Sequence, residues 1–136
     1  MAGERSHRHN RLIPKLIRLH SPDLLDLRTL SPENPENFCI LVQAIIGLEN
    51  ESGEESFDFI VCSVKWLHEF LSDKSFVFGR HYLIVSYYNY DIIWDAINTL
   101  CQKIPGGSWK EIAEQLGKYG RWEFEDYVAY DSSDKD

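Results

Sequence analysis

Glu123 and Glu125, two residues apart in Gly120-Arg121-Trp122-Glu123-Phe124-Glu125-Asp126-Tyr127, are the side chains whose spacing best suits chemistry. On an extended segment they project to the same side, roughly 7 Å apart. That is the arrangement from which a carboxylic acid and a carboxylate divide acid–base work. The run packs three aromatics, three carboxylates and one guanidinium into eight residues, which is not the composition of a core strand. Phe57-Asp58-Phe59, just after the acidic stretch Glu49-Asn50-Glu51-Ser52-Gly53-Glu54-Glu55, repeats the combination, with Asp58 projecting opposite the two rings. Acid–base catalysis also requires the two carboxyl pKa values to diverge, usually through an apolar pocket around one of them, and no local pattern supplies one. Three readings of these carboxylates stay open: a solvated strand face, a protein-binding surface and a catalytic pair. Pairing of Arg80 or Arg121 with the acids would favour the first.

The other reactive side chains form weaker patterns. His7, His9, His20, His68 and His81 make no H-E-x-x-H motif and no cluster with cysteine, so no metal site and no cofactor are expected. His81 lies among apolar strand residues and reads as a hydrogen-bonded structural histidine. Cys62 precedes a helix N-terminus, a location that lowers a thiol pKa, but His68 is most of two turns away, so Cys62 reads as core. Gly106-Gly107-Ser108 lacks the phosphate-loop and dinucleotide-binding patterns and reads as an interhelical turn.

Composition limits the possible partners. At 136 residues the chain can bury a two-layer core as one domain without disulfides or metal. The expected organisation is a flexible basic arm over 1–11, a single domain over 12–130 and a flexible acidic tail over 131–136. Residues 1–20 carry Arg5, Arg8, Arg11, Lys15 and Arg18 against Glu4, a net of +4, which leaves −12 of the formal −8 on the remainder. A body so acidic repels phosphate backbones and attracts cations, which argues against nucleic-acid binding. Cys39, Cys62 and Cys101 sit in apolar runs and are odd in number, the pattern of a reducing, cytoplasmic environment rather than a disulfide framework. No stretch approaches the roughly 18 apolar residues of a membrane span, and the start lacks a signal-peptide core.

The elements that must position these residues follow from periodicity. Lys15 to His20 is a weak strand. Phe38 to Leu48, apolar on both alternating faces, is a central strand. Glu49 to Ser56 is an exposed hairpin loop returning into Phe57 to Cys62. Ser63 caps a helix with Val64, Leu67 and Leu71 on one stripe, and Gly79-Arg80 opens a strand over His81 to Tyr88. Asp91 is placed to cap a helix with the stripe Ile93, Ile97, Leu100 and Ile104, which Pro105-Gly106-Gly107 stops. Ser108 and Glu111 form a capping box before Trp109, Ile112, Ala113 and Leu116. Alternation at Trp122 and Phe124 indicates a last strand. The sum is an α+β fold: a mostly antiparallel sheet of about five strands with about three helices packed on one face.

Several segments, taken in order, resemble the immunity protein 8 family of bacterial polymorphic toxin systems: Leu19-His20-Ser21-Pro22, Phe57-Asp58-Phe59, Cys62 to Leu67, Gly79-Arg80-His81-Tyr82-Leu83-Ile84-Val85 and Gly120 to Tyr127. The likeness spans about Lys15 to Tyr127. It implies a small cytosolic α+β protein, without enzyme activity, that binds the C-terminal domain of a toxin encoded beside it and protects the producing cell. It carries over no contact residues, so the expected partner-binding residues come from the physical reading. Glu49, Glu51, Glu54 and Glu55 would steer association, Asp58, Glu123, Glu125 and Asp126 would make closer contacts, and Trp122, Tyr127 or Tyr130 would anchor. The charge suits a basic toxin, most naturally a nuclease. The rival readings are an adaptor domain using the same surface for a different partner and a small hydrolase centred on Glu123 and Glu125. Oligomeric state is left open.

Overall fold

A computed structural model describes residues 11–51 and 53–125. Five strands and three helices follow in the order β1 (Pro14–His20), β2 (Cys39–Leu48), β3 (Glu54–Ser63), α1 (Val64–Lys74), β4 (Tyr82–Val85), α2 (Tyr90–Gln102), α3 (Trp109–Leu116) and β5 (Arg121–Trp122). β2, apolar on both faces, lies between β1 and β3 and is antiparallel to each. The other edge of β3 is shared: β4 runs parallel along Ile60–Ser63, and β5 runs antiparallel at Phe57 and Asp58. The architecture is therefore the expected α+β fold with a mostly antiparallel sheet.

Alternation decides which face holds the core. Ile40, Val42, Ala44 and Ile46 of β2 meet Phe57, Phe59 and Val61 of β3 on one buried face. Ile93, Ile97 and Cys101 of α2 and Ile112, Ala113 and Leu116 of α3 close over it. A register shift between Leu16 and Arg18 inserts an extra residue into β1, so that Leu16 and Leu19 both face the core opposite Ile46 and Ala44. Leu41, Gln43, Ile45, Ser56, Asp58 and Ile60 lie on the second face, and each keeps part of its surface open.

Several sequence expectations are revised by tertiary contacts. The hairpin loop is shorter than read, because β3 begins at Glu54. Ser63 does cap α1, its hydroxyl accepting from the Trp66 N–H, but no α1 residue is buried and its stripe adds nothing to the core. The strand expected to run to Tyr88 stops at Val85. Beyond it the Tyr88 N–H donates to the Pro35 carbonyl, and its hydroxyl donates to the Leu27 carbonyl at 2.6 Å, which fastens the chain to the 21–38 loop. α2 begins one residue before Asp91 and is capped by Asn89, whose side chain accepts from the Ile92 N–H. Asp91 instead sits in the first turn, where its charge complements the helix dipole. β5 lasts two residues because the Glu125 N–H turns back onto the Trp122 carbonyl.

Candidate functional site

Glu123 and Glu125 do not face one another. Without a continuing strand, each carboxylate goes its own way. Glu123 extends the β3–β5 pairing: its N–H donates to the Ser56 carbonyl and its Oε1 accepts from the Ser56 N–H at 3.0 Å. Glu125 accepts from Arg80 at 2.7 Å and lies 3.6 Å from His81 Nε2. Arg80 also donates to the Gly117 carbonyl, which His81 contacts at 3.3 Å. The start of β4 is thereby fastened to the end of α3 and to the β5 turn, and His81, which precedes β4 and does not lie among its apolar residues, is held by the Gly117 carbonyl. An open depression of about 490 Å³ lies beside Glu125, lined by Arg80, Lys110, Glu114, Trp122 and Phe124. Glu123 is not part of its lining, so Glu123 and Glu125 do not share a reacting centre there.

The hairpin glutamates separate into two groups. Glu49 and Glu51 are exposed at the turn between β2 and β3, and Glu54 is exposed beside it, paired with Arg18. Glu55 points the other way, toward the core face. Its Oε1 accepts from both indole N–H groups, Trp109 at 2.7 Å and Trp122 at 2.8 Å. Trp122 stacks on Phe57 at 6.5 Å between ring centroids and packs against the core. Glu55 and Trp122 therefore tie α3 and β5 to β3, and their recognition groups are spent inside the fold. Asp126, Tyr127 and Tyr130 lie outside the described residues.

Asp58 is different. It occupies the middle of the second sheet face in a cross-strand row: His20 of β1 opposes Gln43 of β2, Gln43 opposes Asp58, and Asp58 opposes Arg121 of β5. Its Oδ1 is buried with no hydrogen-bond partner among the described residues. Burial pushes the carboxyl above its ordinary value, opposed by a hydrogen bond from Gln43 and by the positive charge of Arg121. A partly buried carboxylate whose charged form is disfavoured by burial gains from a cation brought close to it. Among the described residues no group of His, Cys, Asp or Glu could hold a metal ion. Burial raises the Cys62 thiol to about 11, so its place before the α1 N-terminus does not activate it as a catalytic nucleophile.

Sequence reasoning passed over Phe76 and Phe78. They stand 68 % and 84 % exposed in the link between α1 and β4, edge to face at 6.0 Å. The available signal was an aromatic and β-branched run, Phe76-Val77-Phe78, continuing neither the helix before it nor the strand after it. Aromatics exposed to this degree are the type of residue that anchors protein interfaces.

Residues 15–127 match the family described as Immunity protein 8. No curated protein and no solved structure matches the chain. Among the described residues no helix is long and apolar enough to cross a membrane.

Proposed function

The chain belongs to the Immunity protein 8 family, and from that premise we propose that it neutralises a cognate toxin by docking a basic toxin domain against the second sheet face and the adjoining hairpin edge. The observation that carries this reading is the Asp58 carboxylate, desolvated and holding an acceptor oxygen that nothing described in the fold uses. A toxin arginine or lysine placed against this carboxylate would offset the cost of its desolvation. Glu49, Glu51 and Glu54 stand at the exposed end of the same hairpin and steer the cation-rich partner during approach. A nuclease, with a groove built for phosphates, is the toxin class that such a surface fits best. Glu123 and Glu125 act on the binding surface indirectly, by holding the β5 turn against β3 and β4.

Co-expression with the C-terminal domain of the toxin encoded beside this gene tests the reading. Cell survival together with a co-purifying complex supports it. Persistent toxicity without a complex, when both chains are soluble, rejects that pairing and shifts weight to an adaptor role. A complex whose affinity is unchanged by Asp58→Asn would keep the immunity function but remove the sheet face from its interface.

A further inference from the structure

Cys39 and Cys62 are direct partners across the β2–β3 ladder. The next pair outward, Phe38 and Ser63, is hydrogen-bonded through the Ser63 N–H and the Phe38 carbonyl. Since antiparallel pairs alternate, Cys39 and Cys62 form a non-hydrogen-bonded pair, the kind whose Cα atoms stand about 4.5 Å apart with their side chains on one face. Neighbouring donors agree with this phase. The Ile60 N–H is turned away from β2, to the His81 carbonyl, and the Leu41 N–H is turned away from β3, to the Asp23 carboxylate. A separation of about 4.5 Å falls within the roughly 4.4–6.8 Å that a disulfide spans. The two cysteines also differ usefully in access, Cys39 being partly exposed and Cys62 buried. Cys101 belongs to the core under α2, on the opposite face.

We infer that Cys39 and Cys62 are an oxidisable pair, which a low-molecular-weight disulfide converts to a cross-strand bond at the base of the β2–β3 hairpin. The Cys39 thiolate attacks one sulfur of the small disulfide, forming a mixed disulfide and expelling one small thiolate. The Cys62 thiolate then attacks Cys39 Sγ, closing the protein disulfide and releasing the second small thiol. Two protein thiols lose two electrons, the small disulfide gains them, and the two protons end on the released thiols. The bond staples the hairpin that carries the exposed glutamates at its far end. This inference is independent of the docking proposal.

The test uses the full-length reduced protein and excess glutathione disulfide at mildly alkaline pH, followed by intact mass and a non-reducing peptide map. The expected product has lost two hydrogen atoms and contains a Cys39–Cys62 cross-linked peptide with Cys101 free. Cys101→Ser should react the same way. Burial raises both thiols of the pair, so the rate should climb steeply with pH, approaching tenfold per unit. The oxidised form should melt higher, by on the order of 5 °C. A stable glutathione adduct on Cys39, no reaction at all, a link involving Cys101 or a second chain, or a lowered melting temperature would each overturn the inference. The decisive mass measurement is made on the native sequence, so poorly folding cysteine variants cannot obscure it.

Discussion

On the proposed docking face, Asp58 should carry opposite effects on stability and on binding. Its folded carboxyl titrates above the ordinary value of 3.8 because burial disfavours the charged form. The folded state therefore holds the proton more tightly than the unfolded chain, and stability falls as pH rises from 3.8 through the folded value and stays lowered at neutral pH. Asp58→Asn removes that penalty. Denaturant titrations should show the variant gaining on the native protein across that window, with no pH-dependent gain below it. Toxin affinity should move the other way, by about 2 kcal/mol or roughly thirtyfold, because a seated cation loses its counter-charge. Glu55 behaves as a structural group instead. Glu55→Ala strands the indole N–H groups of Trp109 and Trp122 and should cost about 2 kcal/mol in urea unfolding, with a change in native tryptophan fluorescence. If Glu55→Ala unfolded like the native protein, the two indole bonds would be worth nothing to the fold.

Elements meet through a few contacts that tolerate little change. The Ser63 hydroxyl serves two of them at once, accepting from the Trp66 N–H to start α1 and from the Phe38 N–H at 3.1 Å to hold the chain entering β2. Ser63→Ala removes the cap and also leaves a buried N–H without a partner, so the expected loss is about 2 kcal/mol, while Ser63→Thr, which keeps the hydroxyl, should recover most of it. At the approach to β5, a Cβ on Gly120 would come within 2.5 Å of Phe59 Cζ. The chain passes directly over the Phe59 ring, and only glycine leaves room. Gly120→Ala should destabilise by about 1–3 kcal/mol through overpacking. Combining it with Phe59→Leu should cost less than the sum of the two changes, because the sites share one space. Strict additivity in that double-mutant cycle would refute the contact.

At the scale of the whole molecule, net charge acts mainly on encounter. The formal charge is −8, and the exposed hairpin end adds Glu49 and Glu51 beside the Glu54–Arg18 pair. Replacing Glu49, Glu51 and Glu54 together by Gln should slow association with the toxin about tenfold at low salt and flatten its salt dependence, with little change in dissociation. Stopped-flow association across a salt series measures both effects. An unchanged rate and slope would place the steering field elsewhere on the molecule. Glu55 is best left out of this set, since its removal would confuse folding with steering.

The sequence alone determined whatever backbone geometry repeats locally. The apolar run from Phe38 to Leu48 had to be a central strand, the Ser63 and Ser108 caps had to start helices, and the Ile93 and Ile97 stripe had to face the core. The segments that resemble Immunity protein 8 were legible for the same reason, as short patterns in a fixed order. Asp58 could be set opposite Phe57 and Phe59 from alternation alone. What the tertiary structure decided was every pairing between residues far apart in the chain. It placed β4 and β5 on one edge of β3 and turned Glu55 inward to two indoles. It sent Glu123 and Glu125 to different partners and set Cys39 opposite Cys62. Periodicity assigns a side chain to a face, but a carboxylate's partner depends on which distant donor packing brings within about 3 Å, and no local pattern encodes that distance.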